Sequence, residues 1–287
     1  MPASPELLVI IVTYNGMPWM ARCIGSVRSS SLPADILVID NGSTDGTADW
    51  LRSQGVETLE QPDNPGFGAA NNIGLRYALE RAYSYVYLLN QDAWVRPDTF
   101  SRLIAAFRGH PEYGILSPVQ YDGGGVQWDR NFARHCARAL ASGNGDVAEV
   151  PFVMAAHWML TRVCVCAVGG FSPAFRQYGE DDNYIDRARY FGFRTGVVRE
   201  AGAIHAREGR PCSREAEMSL KCVGSVVRVS SPHRPSAPTL LGELVRLFAM
   251  GIYHRSTLPW RRLQELLRRY PSLKTIRKKS LQKGAFL

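Results

Sequence analysis

Apolar residues in this chain come in short blocks separated by amphipathic stretches. Leu7–Thr13 is a continuous apolar run that ends in Tyr14-Asn15-Gly16, the pattern of a buried strand running into a loop. Trp19–Ser29 then shows helical spacing, Ile36–Ile39 reads as a second buried strand closed by Asp40, and Ser43 or Thr44 can cap a helix reaching about Arg52. A short strand follows near Val56–Leu59, a turn at Asn64-Pro65-Gly66, a helix over Ala69–Ala82 and a strand over Tyr85–Leu89. Beyond about residue 110 the rhythm loosens. Gly123-Gly124-Gly125 reads as a loop, Val150–Leu160 as a strand or buried segment, Glu180–Phe191 as a helix, and Arg194–Val198 and Ala203–His205 as two short extended pieces. Past a Pro/Ser-rich hinge at Pro232–Pro238 the tail is helical, with a stripe of Trp260, Leu263, Leu266, Leu267 and Tyr270 among arginines. No internal repeat is visible.

Strands alternating with helices predict an α/β fold, a mainly parallel sheet with helices on both faces. Ligands of such sheets sit beyond the carboxyl ends of the strands. Thr13-Tyr14-Asn15, Asp40-Asn41-Gly42 and Asn90-Gln91-Asp92 each follow a predicted strand. Three polar clusters separated in sequence are therefore expected along one edge.

Composition changes this picture only at the C-terminus. The chain has 287 residues, 45% hydrophobic and 21% charged, with a net charge of +8. From Arg246 to Leu287 there are eleven Lys or Arg and one acid, Glu265, so this segment holds +10 and residues 1–245 hold −2. Charge confined to one terminal segment speaks against nucleic acid and for an anionic membrane surface. The N-terminus lacks the pattern of a signal peptide. No stretch is long and apolar enough to span a bilayer; Leu240–Tyr253 comes nearest, and Glu243 and Arg246 interrupt it. Six cysteines, at 23, 136, 164, 166, 212 and 222, form no C-x-x-C pair; Cys164 and Cys166 are expected in the core and all six reduced, as in a cytoplasmic protein.

The ordered set Ile11–Asn15, Val38–Thr47, Asn64-Pro65-Gly66-Phe67-Gly68 to Gly74, Leu88–Asp92, Gly169-Gly170-Phe171, Gly179-Glu180-Asp181-Asp182 and His205 resembles family 2 of the glycosyltransferases, which have the GT-A fold. The Asn-Pro-Gly-Phe-Gly stretch resembles the family's bacterial rhamnosyltransferase-like branch. The resemblance covers roughly residues 7–230. It implies a catalytic domain over 1–235, with a nucleotide-sugar-binding half to about 110 and an acceptor and catalytic half over 111–235, followed by a basic helical extension over 236–287.

It also implies roles. Thr13, Tyr14 and Asn15 would line the nucleoside pocket, and Asp40 would accept a hydrogen bond from the base; as chemistry alone, Asp40 serves equally well to close a turn. Gly66 and Phe67 form a loop at a helix start, where backbone can approach an anion, with Asn71 one turn further on. Asn90-Gln91-Asp92 stands where the family has D-x-D. With Asn90 in place of an acid, Asp92 becomes the main carboxylate for Mg²⁺ or Mn²⁺, and His205 matches a family metal ligand. An inverting transfer needs a general base, and Asp181 aligns with it, with Glu180 the alternative. Trp158, Gly170 and Asp182 are candidates for the acceptor side. The donor implied is dTDP- or UDP-linked, the sugar rhamnose in that branch, and the acceptor a glycan or lipid-linked hydroxyl in surface polysaccharide synthesis. The expected place is the cytoplasm, or the inner face of its membrane, with homo-oligomers open.

Three rivals remain. A dinucleotide oxidoreductase would need G-x-G-x-x-G where Thr-Tyr-Asn-Gly-Met-Pro stands, and a nucleotidyltransferase a basic glycine-rich loop there. A catalytically weak or silent nucleotide-sugar-binding subunit is kept open by Asn90.

Overall fold

The computed structural model describes residues 6–207 and 213–287. The strands are β1 (Leu7–Thr13), β2 (Asp35–Asp40), β3 (Glu57–Glu60), β4 (Tyr85–Asn90), β5 (Ala93–Val95), β6 (Tyr113–Tyr121), β7 (Val147–Glu149), β8 (His157–Thr161) and β9 (Arg194–His205). The helices are α1 (Met17–Arg28), α2 (Thr47–Ser53), α3 (Phe67–Glu80), α4 (Thr99–Gly109), α5 (Arg130–Ala141), α6 (Arg162–Val168), α7 (Glu180–Tyr190), α8 (Arg214–Ser230), α9 (Ser236–His254) and α10 (Leu258–Ser280). The sheet runs β3-β2-β1-β4-β8-β6-β9-β5, with β7 added to β9. It is parallel across β3-β2-β1-β4 and between β6 and β9, and β8 is inserted antiparallel between β4 and β6.

The continuous apolar run of β1 is explained by burial on both faces. Leu8 and Ile10 enter one core with α3, α5, α6 and α7; Leu7, Val9 and Ile11 enter the other with α1, α2 and α4. Each such side chain contributes roughly 1.5–3 kcal/mol on burial.

Several expectations are corrected. Ser43 and Thr44 do not cap α2; its N-cap is Gly46, and Asp45 accepts hydrogen bonds from Thr47 instead. The two extended pieces at 194–205 are one strand, bent where Arg199–Ala201 bulge out between the Pro118↔Val198 and Val119↔Gly202 pairs. That irregularity also lets β6 carry Pro118, whose presence hides the strand in the sequence. Cys166 is exposed while Cys164 is buried; the five described cysteines are free, and Cys212 lies outside the described residues.

The proline-rich hinge is shorter than its composition predicts, because α9 already starts at Ser236. The stripe on α10 is largely packed: Leu266 is buried, and Leu263 and Tyr270 are partly buried, in a core shared with α8, α9, Ala174 and Phe175. Only Trp260 and Leu267 remain exposed. No helix among the described residues is long and apolar enough to cross a membrane.

Candidate active site

Beyond the carboxyl ends of β1, β2 and β4 lies a cleft of two joined pockets. The first, about 800 Å³, is lined by Thr13, Tyr14, Asn41, Gly66, Asn90, Gln91 and Asp92, and closed by α8 and α10 through Ser219, Val223, Arg262 and Arg269. The second, about 590 Å³, holds Glu180, Asp181, Asp182 and His205. Phe67, Asn90, Gln177, Tyr178 and Val223 line both, so the two pockets share a wall.

The first pocket is shaped by staples between loops. Gln91 Oε1 accepts hydrogen bonds from Thr13 Oγ1 and the Tyr14 amide, both at 2.8 Å, which ties the β1 and β4 ends together. Gly66 has φ +89°, and a Cβ there would collide with the Arg176 carbonyl oxygen, so the Asn64–Phe67 turn can lie against the Arg176–Tyr178 loop only as glycine. Asn64 Oδ1 accepts from the Gly66 amide at 3.0 Å and from Asn41 Nδ2 at 3.4 Å.

Asp92 and His205 are brought together by a ladder. β5 pairs antiparallel with β9 so that Ala93 faces His205, and the Ala206 amide donates to the Asp92 carbonyl at 2.9 Å. His205 Nε2 then lies 3.6 Å from Asp92 Oδ1, with both groups nearly inaccessible. Neither ring nitrogen of His205 has a hydrogen-bond partner among the described residues. Buried polar atoms are rarely left so. His157, whose ring centroid is 6.3 Å away, is satisfied: Nε2 donates to the Ile204 carbonyl and Nδ1 accepts from Tyr87. Burial, then the neighbouring His205, pushes His157 down to about 3, so it stays neutral.

The acids stand at the first turn of α7. Tyr178 and Gly179 both have positive φ, +67° and +86°, and a Cβ on Gly179 would strike Val223 of α8. This kink aims Glu180, Asp181 and Asp182 into the second pocket. Burial, reinforced by the charge of Glu180, raises Asp181 to about 7. Glu180 is buried, its Oε2 has no partner, and burial raises it too.

Not every expected residue reaches the cleft. Trp158 is fully buried, its Nε1 donates to the Val153 carbonyl, and its ring packs on Phe171 and Tyr184. The Gly170 amide donates to the Ala285 carbonyl, and a Cβ there would strike the Asn72 side chain and the Phe286 carbonyl. Both are framework residues, lining neither pocket. Asp40 is buried with both carboxylate oxygens accepting from Ser43, the turn-closing arrangement. Asn15 Oδ1 accepts from the Thr44 amide, and Asn71 Nδ2 donates to the Phe67 carbonyl; neither lines either of these two pockets. In their place the structure supplies Asn41, Arg176, Arg262 and Arg269. Asn41 lay within the Asp40-Asn41-Gly42 cluster without being given a role, whereas the arginines of α10 carried no signal separating wall from surface charge.

A family model described as glycosyl transferase family 2 matches residues 8–167, more than half of the chain. An undecaprenyl-phosphate mannosyltransferase of Micrococcus luteus is 33% identical over 108 residues, 36% of this chain and 44% of that protein, so the match spans less than half of that relative. An N-acetylglucosaminyl-diphospho-decaprenol L-rhamnosyltransferase of Mycobacterium tuberculosis is 27% identical over 234 residues, covering 69% of this chain and 75% of that one. Among solved structures, a mannosyltransferase from Pyrobaculum calidifontis in complex with GDP-Man and Mn²⁺ superposes with a TM-score of 0.58 at 18% identity, over 98% of this chain and 86% of that one. The shared architecture is the GT-A fold.

Proposed function

The chain belongs to glycosyl transferase family 2, a family that uses nucleotide-sugar donors, and we propose on that premise that it is an inverting, metal-dependent transferase. Its donor is a nucleotide-diphosphate sugar, UDP- or dTDP-linked with rhamnose a candidate sugar, and its acceptor a hydroxyl on a polyprenol-linked glycan precursor of a surface polysaccharide. The observation that carries this reading is the shared wall between a polar pocket at the strand ends and a second pocket holding Asp181. A donor in the first pocket would place its anomeric carbon at the junction, facing the acids.

Asp181 takes the proton of the acceptor hydroxyl as that oxygen attacks the anomeric carbon and the nucleoside diphosphate leaves. Its raised acidity range suits the task, since a base is most effective when it titrates near working pH. Tyr14 and Asn41 bound the nucleoside end of the first pocket, and Arg176, Arg262 and Arg269 bring positive charge towards the diphosphate. A divalent cation such as Mg²⁺ or Mn²⁺ fits beside Asp92 and His205, where a carboxylate faces an imidazole whose two nitrogens have no hydrogen-bond partner among the described residues. When bound it would offset the charge of the departing diphosphate. A lipid-linked acceptor would bring the protein to the inner face of the cytoplasmic membrane.

The test is transfer from UDP- and dTDP-sugars to a short-chain polyprenyl-diphosphate-linked GlcNAc. Asp181→Asn is expected to lower kcat by about 10²–10⁴ while nucleotide binding persists. Full turnover in Asp181→Asn, with loss in Glu180→Gln, would move the base to Glu180. Nucleotide binding without turnover of any donor would leave a silent subunit.

A further inference from the structure

We infer that the outward face of α9 is a surface that rests on an anionic lipid bilayer. The helix is divided lengthwise. Glu243, Leu247 and Gly251 face inward and are buried. Leu241, Val245, Phe248 and Ile252 are 65%, 63%, 56% and 59% exposed, and Tyr253 is 83% exposed. Their spacing of four, three and four residues makes one stripe three turns long. Single exposed apolar residues are ordinary on soluble proteins, but a contiguous row of this length marks a contact surface.

α10 continues that surface. The Trp260 ring lies 6.4 Å from that of Phe248, and its Nε1 donates to the Phe248 carbonyl. Leu267, two turns further along, is 46% exposed. Arg255, Arg261 and Arg268 are exposed beside these positions. This differs from the stripe expected on α10, three of whose residues pack inward.

Charge selects the occupant. Residues 246–287 carry +10 with one acid, Glu265, which Arg262 and Arg269 already hold. A second copy meeting this face would set its exposed Arg255, Arg261 and Arg268 against the same three arginines. An anionic bilayer supplies the opposite charge and takes the apolar row into its headgroup boundary, the arrangement of an interfacial amphipathic helix. α9 packs on α8, and α8 walls both pockets, so the membrane surface stands one helix from the cleft. The purpose of this placement rests on the lipid-linked acceptor proposed above; the surface itself does not.

The experiment is flotation of the full chain with phosphatidylcholine vesicles with and without phosphatidylglycerol. Binding is expected only with the anionic lipid and should weaken with salt over the range in which the Debye length falls from about 10 to 3 Å. The quadruple variant Leu241→Ser/Val245→Ser/Phe248→Ser/Ile252→Ser is expected to lower partitioning at least about tenfold, with thermal unfolding unchanged. Arg255→Gln/Arg261→Gln/Arg268→Gln should erase the preference for anionic lipid. Equal partitioning of wild type and the quadruple variant, or no binding to anionic vesicles, overturns the inference. So does a dimer, detected by light scattering, that the quadruple variant dissolves while vesicle binding stays the same. Loss of glycosyl transfer with vesicle binding intact would count against the proposed activity and leave this surface standing.

Discussion

A carboxyl raised to about 7 leaves two separate signatures, one in rate and one in stability. For Asp181 as base, kcat should rise with pH and level off above about 7, where the carboxylate is formed. The stability signature has the opposite sense. The folded chain holds this proton up to about pH 7, while the unfolded chain releases it near 4, so wild type loses stability as pH rises between those values. Asp181→Asn is therefore expected to unfold at a higher temperature than wild type at pH 8, with the gap closing towards pH 4; scanning calorimetry across that range checks it. A flat difference would show that Asp181 is not strained by burial. At the proposed metal position, His205→Ala should abolish any Mn²⁺-dependent rise in nucleotide affinity, since it removes the imidazole that faces Asp92 with no hydrogen-bond partner among the described residues.

α8 and α9 are clipped by one buried acid. Burial alone would raise Glu243, but the guanidinium groups of Arg228 and Arg246 hold it down to about 2. The clip thus stabilises the fold fully above about pH 4.5 and is lost as pH falls through about 2. Glu243→Ala leaves two arginines facing each other and is expected to cost about 3 kcal/mol in urea unfolding at pH 7. A loss under about 0.5 kcal/mol would mean the pair is solvated. In sequence, Glu243 read only as an interruption in an apolar run: Arg246 stands one turn on, but nothing local shows that Arg228 meets the same carboxylate from another helix, 15 residues back. The parallel first half was legible for the opposite reason: β1, β2 and β4 are buried on both faces, and their apolar runs state this directly. β6 was hidden by Pro118, and α4 by a start at Asp98 whose side chain makes no capping bond, while Thr99 reaches across to the Gly202 carbonyl; α5 does carry a local cap, Asp129 accepting from the Phe132 amide, which the irregular stretch before it left unread.

Over the whole molecule, the N-terminal sheet and the C-terminal helices make one cleft. The acids of the second pocket and the Asn90-Gln91-Asp92 cluster were readable as motifs; that α10 closes the first pocket was not, because its arginines look like any solvated basic helix. Arg262→Ala/Arg269→Ala is expected to weaken nucleotide binding, and the α9 quadruple variant to leave it unchanged. On the function proposed above, the first pocket holds a nucleotide diphosphate with a divalent cation at Asp92 and His205. Calorimetric titration of UDP and dTDP into the full chain, in Mn²⁺ and then in EDTA, tests it most directly. Saturable binding of at least one nucleotide is expected, tighter in Mn²⁺ by about tenfold or more, equivalent to about 1.4 kcal/mol, with that gain absent in Asp92→Ala. Equal affinity in Mn²⁺ and EDTA, or no binding of either nucleotide, would contradict it.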